Sequence, residues 1–268
     1  MTYPTVSASN AGSQTAQPTV VVSVVSHGHG AMIERLLRQM ARLGTPAISR
    51  VVLTQNLPEP APQPEQNDWP FVLELRCNPS PLGFSANHNA ALAGATENYV
   101  CVLNPDVEWA KDPMAALLRA VALPGVGIAY PLQLDAQGQQ QDSEREVPTP
   151  WSLLRRYGCR RKELRAEWVN GAMWLLPRGV WQQVGGLDVR YFMYCEDVDF
   201  CLRVRLAGYT LARAQASVEH AGQRDSHRHW RSTLWHIRSL LRLWTSGVFW
   251  RSRTLLRQIP ASALTITE

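Results

Sequence analysis

Apolar positions along the chain follow two rhythms that alternate. Residues 19–26, "TVVVSVVS", form a β-branched run without polar alternation, the pattern of a strand covered on both faces. After "HGHG", Ile33, Leu36, Leu37, Met40 and Leu43 recur at helical spacing. Short runs predict strands over 50–54, 71–76 and 99–103, with a Pro-rich loop at 58–64 and a helix over 86–95. Met114, Leu117, Leu118 and Val121 make a further helix face, and 126–134 reads as a strand. Residues 135–162 are polar and basic without a period, which predicts a long loop with one helix. A short strand at 172–176 and a short helix at 177–184 follow, the helix stopped by Gly185-Gly186. A helix over 196–207 ends at Gly208, and 209–220 carries one or two last strands. Strands alternating with helices predict an α/β domain with a mostly parallel sheet between helical layers.

From Trp230 onward the helical rhythm returns. Leu234, Ile237, Leu241, Trp244 and Val248 step by three and four, with Arg231, Arg238 and Arg242 beside them. Such a stripe either packs on the body with its arginines in solvent, or rests on an anionic membrane surface.

Charge sharpens that choice. Of 27 Lys and Arg, 19 lie before residue 224 together with 20 of the 22 acids, leaving the body near neutral. Residues 224–257 hold eight arginines against one acid, Asp225, and Trp230, Trp235, Trp244 and Trp250 lie among them. Arginine with tryptophan also suits nucleic acid, so a nucleic-acid-binding protein is a rival class at this point. The 268 residues, 45% hydrophobic, suit one domain of moderate size with an appendage. The expected divisions are a disordered lead-in over 1–18, a main domain over 19–223 and a basic helical extension over 224–268. No apolar run is long enough to span a membrane, and the N-terminus lacks the pattern of a signal peptide. The five cysteines, Cys77, Cys101, Cys159, Cys195 and Cys201, are odd in number with no CxxC pair. Neither a disulfide framework nor a zinc site is expected, and a reduced, cytoplasmic protein is.

Candidate chemistry gathers at three places. In "YVCVLNPDVEW" an apolar run stops at Asn104-Pro105-Asp106. This is either an ordinary turn or a hard oxygen ligand for Mg²⁺ or Mn²⁺, stiffened by Pro105 at the carboxyl end of a strand. In "YFMYCEDVDFCLR", Glu196, Asp197 and Asp199 open a helix beneath Tyr191, Phe192 and Tyr194. One or two acids there only complement the helix dipole, whereas three beneath an aromatic loop also suit a general base. In "SVEHAG", His220 ends the last strand and would serve a metal only by converging with Asp106. Gly28 and Gly30 fit the start of a dinucleotide fingerprint, but Ile33 takes the third glycine's place.

Six segments in order, "VVVSVVSHGHG", "NPSPLGFSANHNAAL", "VLNPDV", "VNGAMWLLPRGVWQQVGGLD", "YFMYCEDVDFCLRVRLAGY" and "ASVEHAG", resemble the family 2 glycosyltransferases from about residue 20 to 226. Within that family, "LNPDV" with "GFSANHN" is most similar to the bacterial rhamnosyltransferase branch. The resemblance implies a GT-A type three-layer α/β/α nucleotide-sugar-binding fold and inverting transfer, most simply of L-rhamnose from dTDP-rhamnose, with UDP- or GDP-sugars as alternatives. It implies Asp197 as general base with Glu196 beside it, and Asp106 with His220 at a Mg²⁺ or Mn²⁺ ion. Ser26, His27, Gly28, Asn56, Gly83, Asn87, Asn89, Asn104 and Arg203 fall where the family meets its donor, Arg203 also fitting a structural role. Two positions depart from the family pattern. Asn104 replaces the first acid of its Asp-x-Asp motif, and Thr54-Gln55-Asn56 lacks the carboxylate that usually reads the base. The implied partners are a nucleotide-sugar and a saccharide or lipid-linked acceptor at the inner membrane face, not nucleic acid. The acceptor is expected over the 191–194 loop and the 142–165 region.

Overall fold

The computed structural model describes residues 17–43, 46–64, 68–158, 165–221, 230–260 and 264. The first β-branched run becomes β1 (Val20–Ser26), and the stripe after it becomes α1 (Gly30–Leu43). There follow β2 (Ile48–Gln55), β3 (Val72–Cys77), α2 (Phe84–Leu92), β4 (Tyr99–Leu103), the two-residue β5 (Val107–Glu108), α3 (Met114–Val121) and β6 (Val126–Leu134). The aperiodic stretch holds β7 (Glu144–Arg145) and one helical turn, α4 (Pro150–Leu153), continued as a π-helical turn over Leu154–Gly158. Then come β8 (Trp168–Val169), β9 (Met173–Pro177), α5 (Arg178–Val184), α6 (Glu196–Leu206) and a single last strand, β10 (Thr210–His220).

The eight-stranded sheet runs β3-β2-β1-β4-β9-β6-β10-β5. β3, β2, β1 and β4 are parallel neighbours, β9 runs antiparallel between β4 and β6, and β10 is parallel to β6. The period-two geometry of strands divides the core into two layers. Val20, Val22 and Val24 face α1 and α3, packing with Leu36, Leu37, Met40 and Leu117. Val21, Val100 and Val102 face the other side, with Leu92, Trp174, Trp181 and Phe200. This is the predicted layered α/β architecture, and it puts the ends of β1, β2 and β4 on one edge.

The C-terminal extension departs from its prediction in two ways. It forms two helices, α7 (Trp230–Thr245) and α8 (Gly247–Gln258), because Ser246 caps the second by accepting from the Phe249 N–H at 3.1 Å. Val248 therefore belongs to a different helix from Leu241. The predicted stripe also divides, since Trp244 and Val248 pack partly buried against the core while its first three members do not. Leu243, Phe249, Ser252 and Leu256 are buried, and Arg165 and Ala166 donate to the Leu256 and Leu264 carbonyls. Leu234, Ile237 and Leu241 stand 55%, 51% and 54% exposed. The side chains of Trp230 and Arg231 lie outside the described residues, as do Cys159 and residues 222–229 between β10 and α7. Among the described residues the four remaining cysteines are free, and no helix is long and apolar enough to cross a membrane.

Candidate active site

Strand β4 ends where Asn104 donates its N–H to the Ala172 carbonyl at 2.8 Å. The chain turns at Pro105 and re-enters the sheet as β5, which pairs with Glu219 and His220 at the end of β10. That short ladder, with Ala221 N–H donating to the Asp106 carbonyl at 3.1 Å, brings two distant residues together. His220 Nε2 lies 3.4 Å from Asp106 Oδ1. Gln141 fixes the histidine from the other side, donating to its carbonyl at 2.6 Å and meeting Nδ1 at 3.2 Å. The convergence that a shared ion requires is thus present. Among the described residues no group of three or more His, Cys, Asp or Glu stands ready for a metal. One carboxylate and one imidazole, with Asn104 two residues before the carboxylate, make an open donor set. That set fits a Mg²⁺ or Mn²⁺ ion whose remaining ligands come from water or a diphosphate.

The acid helix is entered through backbone strain. Tyr194 and Cys195 both have left-handed φ, +71° and +62°, immediately before Glu196. Consecutive non-glycine residues in that region cost about 1–3 kcal/mol each, so surrounding contacts must hold them. The Tyr194 ring stacks on His236 of α7 with centroids 3.4 Å apart, and Ser239 Oγ donates to the Met193 carbonyl at 2.9 Å. The three acids then diverge in environment. Asp199 is spent on Arg203, 2.7 Å away. Glu196 is buried and held well above the ordinary carboxylate range, by burial first and by the charge of Asp197 second. Asp197 is half-buried, and burial pushes it up to about 6 against the pull of the Val198 N–H and the positive charge of Arg145.

A short loop, 170–172, joins the two halves. Ala172 accepts from Asn104, while a Cβ built on Gly171 would lie 3.8 Å from Asp197 Cβ and 3.5 Å from the Phe84 ring. Asn170 is itself pinned by a reciprocal amide pair with Gln133.

At the β1 end, Gly28 turns with φ +82°. Ser26 Oγ and the Gly28 N–H donate to Glu59 at 2.7 and 2.9 Å, beside a cavity of about 280 Å³ that Gln55 and Pro60 also line. His27 Nδ1 lies 3.3 Å from the Asn56 amide. Sequence reasoning missed Glu59. Its signal was a lone acid in the Pro-rich loop, just after the strand whose usual carboxylate is absent. Arg145, whose charge acts on Asp197, was also missed, because it sits in the aperiodic stretch.

Several of the residues expected near the donor also brace the backbone. Asn56 holds both the N–H and the carbonyl of Leu82, and Asn78 donates to Asn56 and Asn87 at 2.9 and 2.7 Å. Asn89 clamps the backbone of Leu187, and Arg203 donates to the Val184 and Gly186 carbonyls as well as to Asp199. These side chains frame the site from behind. Gly83 has a steric role, since a Cβ there would stand 2.5 Å from the Phe192 carbonyl oxygen.

No family model matches the chain. Curated relatives do. One is an N-acetylglucosaminyl-diphospho-decaprenol L-rhamnosyltransferase of Mycobacterium tuberculosis, 28% identical over 218 residues covering 70% of this chain and 71% of that protein. Another is the rhamnosyltransferase WbbL of Escherichia coli, 23% identical over 83% of this chain and 91% of that one. Among solved structures, the mannosyltransferase PcManGT of Pyrobaculum calidifontis, in complex with GDP-Man and Mn²⁺, aligns with TM-score 0.57 and 17% identity over 93% of this chain and 79% of its own. GalNAc-T7 with UDP, GalNAc and Mn²⁺ aligns with TM-score 0.61 and 14% identity over 92% and 52%. The layered sheet, its strand-end cleft and these relatives together make the chain a GT-A-fold glycosyltransferase, similar to the family 2 rhamnosyltransferases.

Proposed function

We propose that the protein transfers L-rhamnose from dTDP-rhamnose, with inversion, to a saccharide carried on a lipid diphosphate during bacterial surface-polysaccharide assembly. The observation that carries this reading is Asp197. It is a half-buried carboxylate that burial pushes above the ordinary aspartate range, and the 170–172 loop lies between it and Asn104, two residues before Asp106. A carboxylate raised to about 6 is a stronger base than an ordinary aspartate and is still ionised at pH 7. It accepts the proton of the acceptor hydroxyl as that oxygen bonds to the anomeric carbon and the bond to the nucleotide diphosphate breaks. One displacement inverts the carbon. Burial holds the Glu196 carboxyl well above the ordinary range, which disfavours a second negative charge beside Asp197. Asp106, His220 and Asn104 would hold the divalent cation, Mg²⁺ or Mn²⁺. Bound there, such an ion offsets negative charge on the departing diphosphate. The two solved neighbours that carry Mn²⁺ with nucleotide ligands support that cofactor.

The rhamnosyl group follows the named activity of both relatives and the diphospholipid acceptor that of one, and an acceptor of that class supports a position at the inner face of the cytoplasmic membrane. The acid cluster and these relatives favour this reading over nucleic-acid binding by the Arg-rich tail. The test is transfer by the purified protein from dTDP-rhamnose, UDP-sugars and GDP-sugars to an N-acetylglucosaminyl diphospholipid, with the anomeric configuration of the product read by NMR. Preference for dTDP-rhamnose and an inverted product are expected. Preference for another donor, or a retained configuration, overturns the finer assignment.

A further inference from the structure

The surface of α7 has three faces. Ser239 and Leu243 point inward, and Leu234, Ile237 and Leu241 stand exposed on the far side. Between them Trp235, Arg238 and Arg242, spaced by three and four, line one wall of a groove of about 280 Å³. Its opposite wall is the loop before the acid helix, with Arg190 and Phe192. The Phe192 and Trp235 rings meet at 5.1 Å, and the Arg242 guanidinium lies 5.9 Å from the Tyr191 ring centroid. Arg190 is neutralised by Asp188, 2.6 Å away. Among the described residues no acid pairs with Arg238 or Arg242, so the groove carries unbalanced positive charge beside an exposed apolar stripe. The same loop leads through Tyr194 and Cys195 into Glu196 and Asp197.

We infer that this groove binds the diphosphate of a polyprenyl-linked acceptor, its lipid lying against Leu234, Ile237 and Leu241. The inference rests on the lipid-linked acceptor reading above. Arg238 and Arg242 supply charge for two adjacent phosphates, and the exposed aliphatic stripe begins where the lipid chain would leave them. Phe192 and Trp235, one from each wall, meet ring to ring across the groove. From there the saccharide extends past the strained 194–195 turn towards Asp197.

Binding is measured by co-sedimentation with three probes. These are phosphatidylcholine vesicles carrying undecaprenyl diphosphate, phosphatidylcholine vesicles carrying phosphatidylglycerol at matched charge, and soluble inorganic pyrophosphate as competitor. The diphosphate lipid should bind at least about tenfold more tightly than the charge-matched vesicles, and pyrophosphate should compete. Arg238→Gln, at an exposed position, and Arg242→Gln should each weaken that binding about tenfold. Arg242→Lys should retain most of it, which separates lost charge from a disturbed Tyr191 loop. Equal binding to both vesicle types overturns the site, as do Gln variants that bind like the wild type. If no donor yields product with any acceptor but the diphosphate lipid still binds through Arg238 and Arg242, the transfer assignment fails and the groove stands. If transfer proceeds and the Gln variants bind normally, the reverse holds.

Discussion

Asp197 is where local physics and the proposed chemistry meet. Its carboxyl is raised to about 6 by burial, so the base form disappears as pH falls through that value. The rate of transfer at limiting substrate should therefore climb about tenfold per pH unit below 6 and level off above it, a profile read directly from initial rates. Asp197→Asn should lower turnover about 10²–10⁴-fold while donor binding, measured by calorimetry, stays close to wild type. The same substitution should raise stability at pH 7. A carboxyl whose folded pKa exceeds its unfolded value binds its proton more tightly in the folded state. Ionising it is then a penalty that grows as pH rises from about 4 to 6 and is fully present at 7. Removing the charge should recover about 1–2 kcal/mol, seen as a higher Tm at pH 7 and little change at pH 4. Loss of activity with lower stability would mark Asp197 as a structural group instead. At the other half of the site, Asp106→Ala breaks the pair with His220. It should weaken donor binding and abolish stimulation by Mg²⁺ or Mn²⁺, and full wild-type activity in excess chelator would remove the ion from the scheme.

At the scale of elements, the site depends on how closely the 191–195 loop is pressed between α2 and α7. Phe84 donates its N–H to the Phe192 carbonyl at 3.1 Å, an approach that only glycine at position 83 permits. Gly83→Ala should force the two segments apart at a cost of about 1–3 kcal/mol, lowering Tm and slowing transfer together. A variant with unchanged Tm and rate would show that the loop yields freely. The same elements show what a sequence can reveal. β4, α3 and β6 appear at their predicted bounds because strict burial of one or both faces imprints a period on the residues. Asp106 and His220 were readable as candidates, but their meeting depends on a two-residue ladder, β5 on β10, that leaves no periodic trace. Asn89 and Arg203 are assigned to the donor by resemblance, Arg203 with a structural role as its alternative. Their actual partners are backbone carbonyls and N–H groups of distant turns, which no spacing rule encodes. The α7 stripe left two readings open for a related reason. A helical period identifies an apolar face without saying whether protein or something else covers it, and here the protein covers Trp244 and Val248 but leaves Leu234, Ile237 and Leu241 exposed.

For the whole molecule, the uneven charge and the exposed stripe act together. The body is near neutral, whereas residues 224–257 carry eight arginines against one acid, so the protein should approach an anionic surface tail-first. Each basic residue close to such a surface contributes about 1 kcal/mol. Leu234, Ile237, Leu241 and Trp250, all more than half exposed, offer apolar side chains at the same end. The tail is also tied to the candidate site. Phe192 and Tyr194, just before the acid helix, pack on Trp235 and His236 of α7. Vesicles of phosphatidylcholine with phosphatidylglycerol should therefore pull the protein down at low salt. Raising the ionic strength to about 1 M, where screening shortens the Debye length to about 3 Å, should release most of it. Leu234→Ser combined with Leu241→Ser should reduce the bound fraction at low salt without changing Tm, because both positions already face solvent. Absence of binding at low salt, or equal binding to neutral vesicles, would mean that the arginines are merely solvated and that the exposed stripe has another partner.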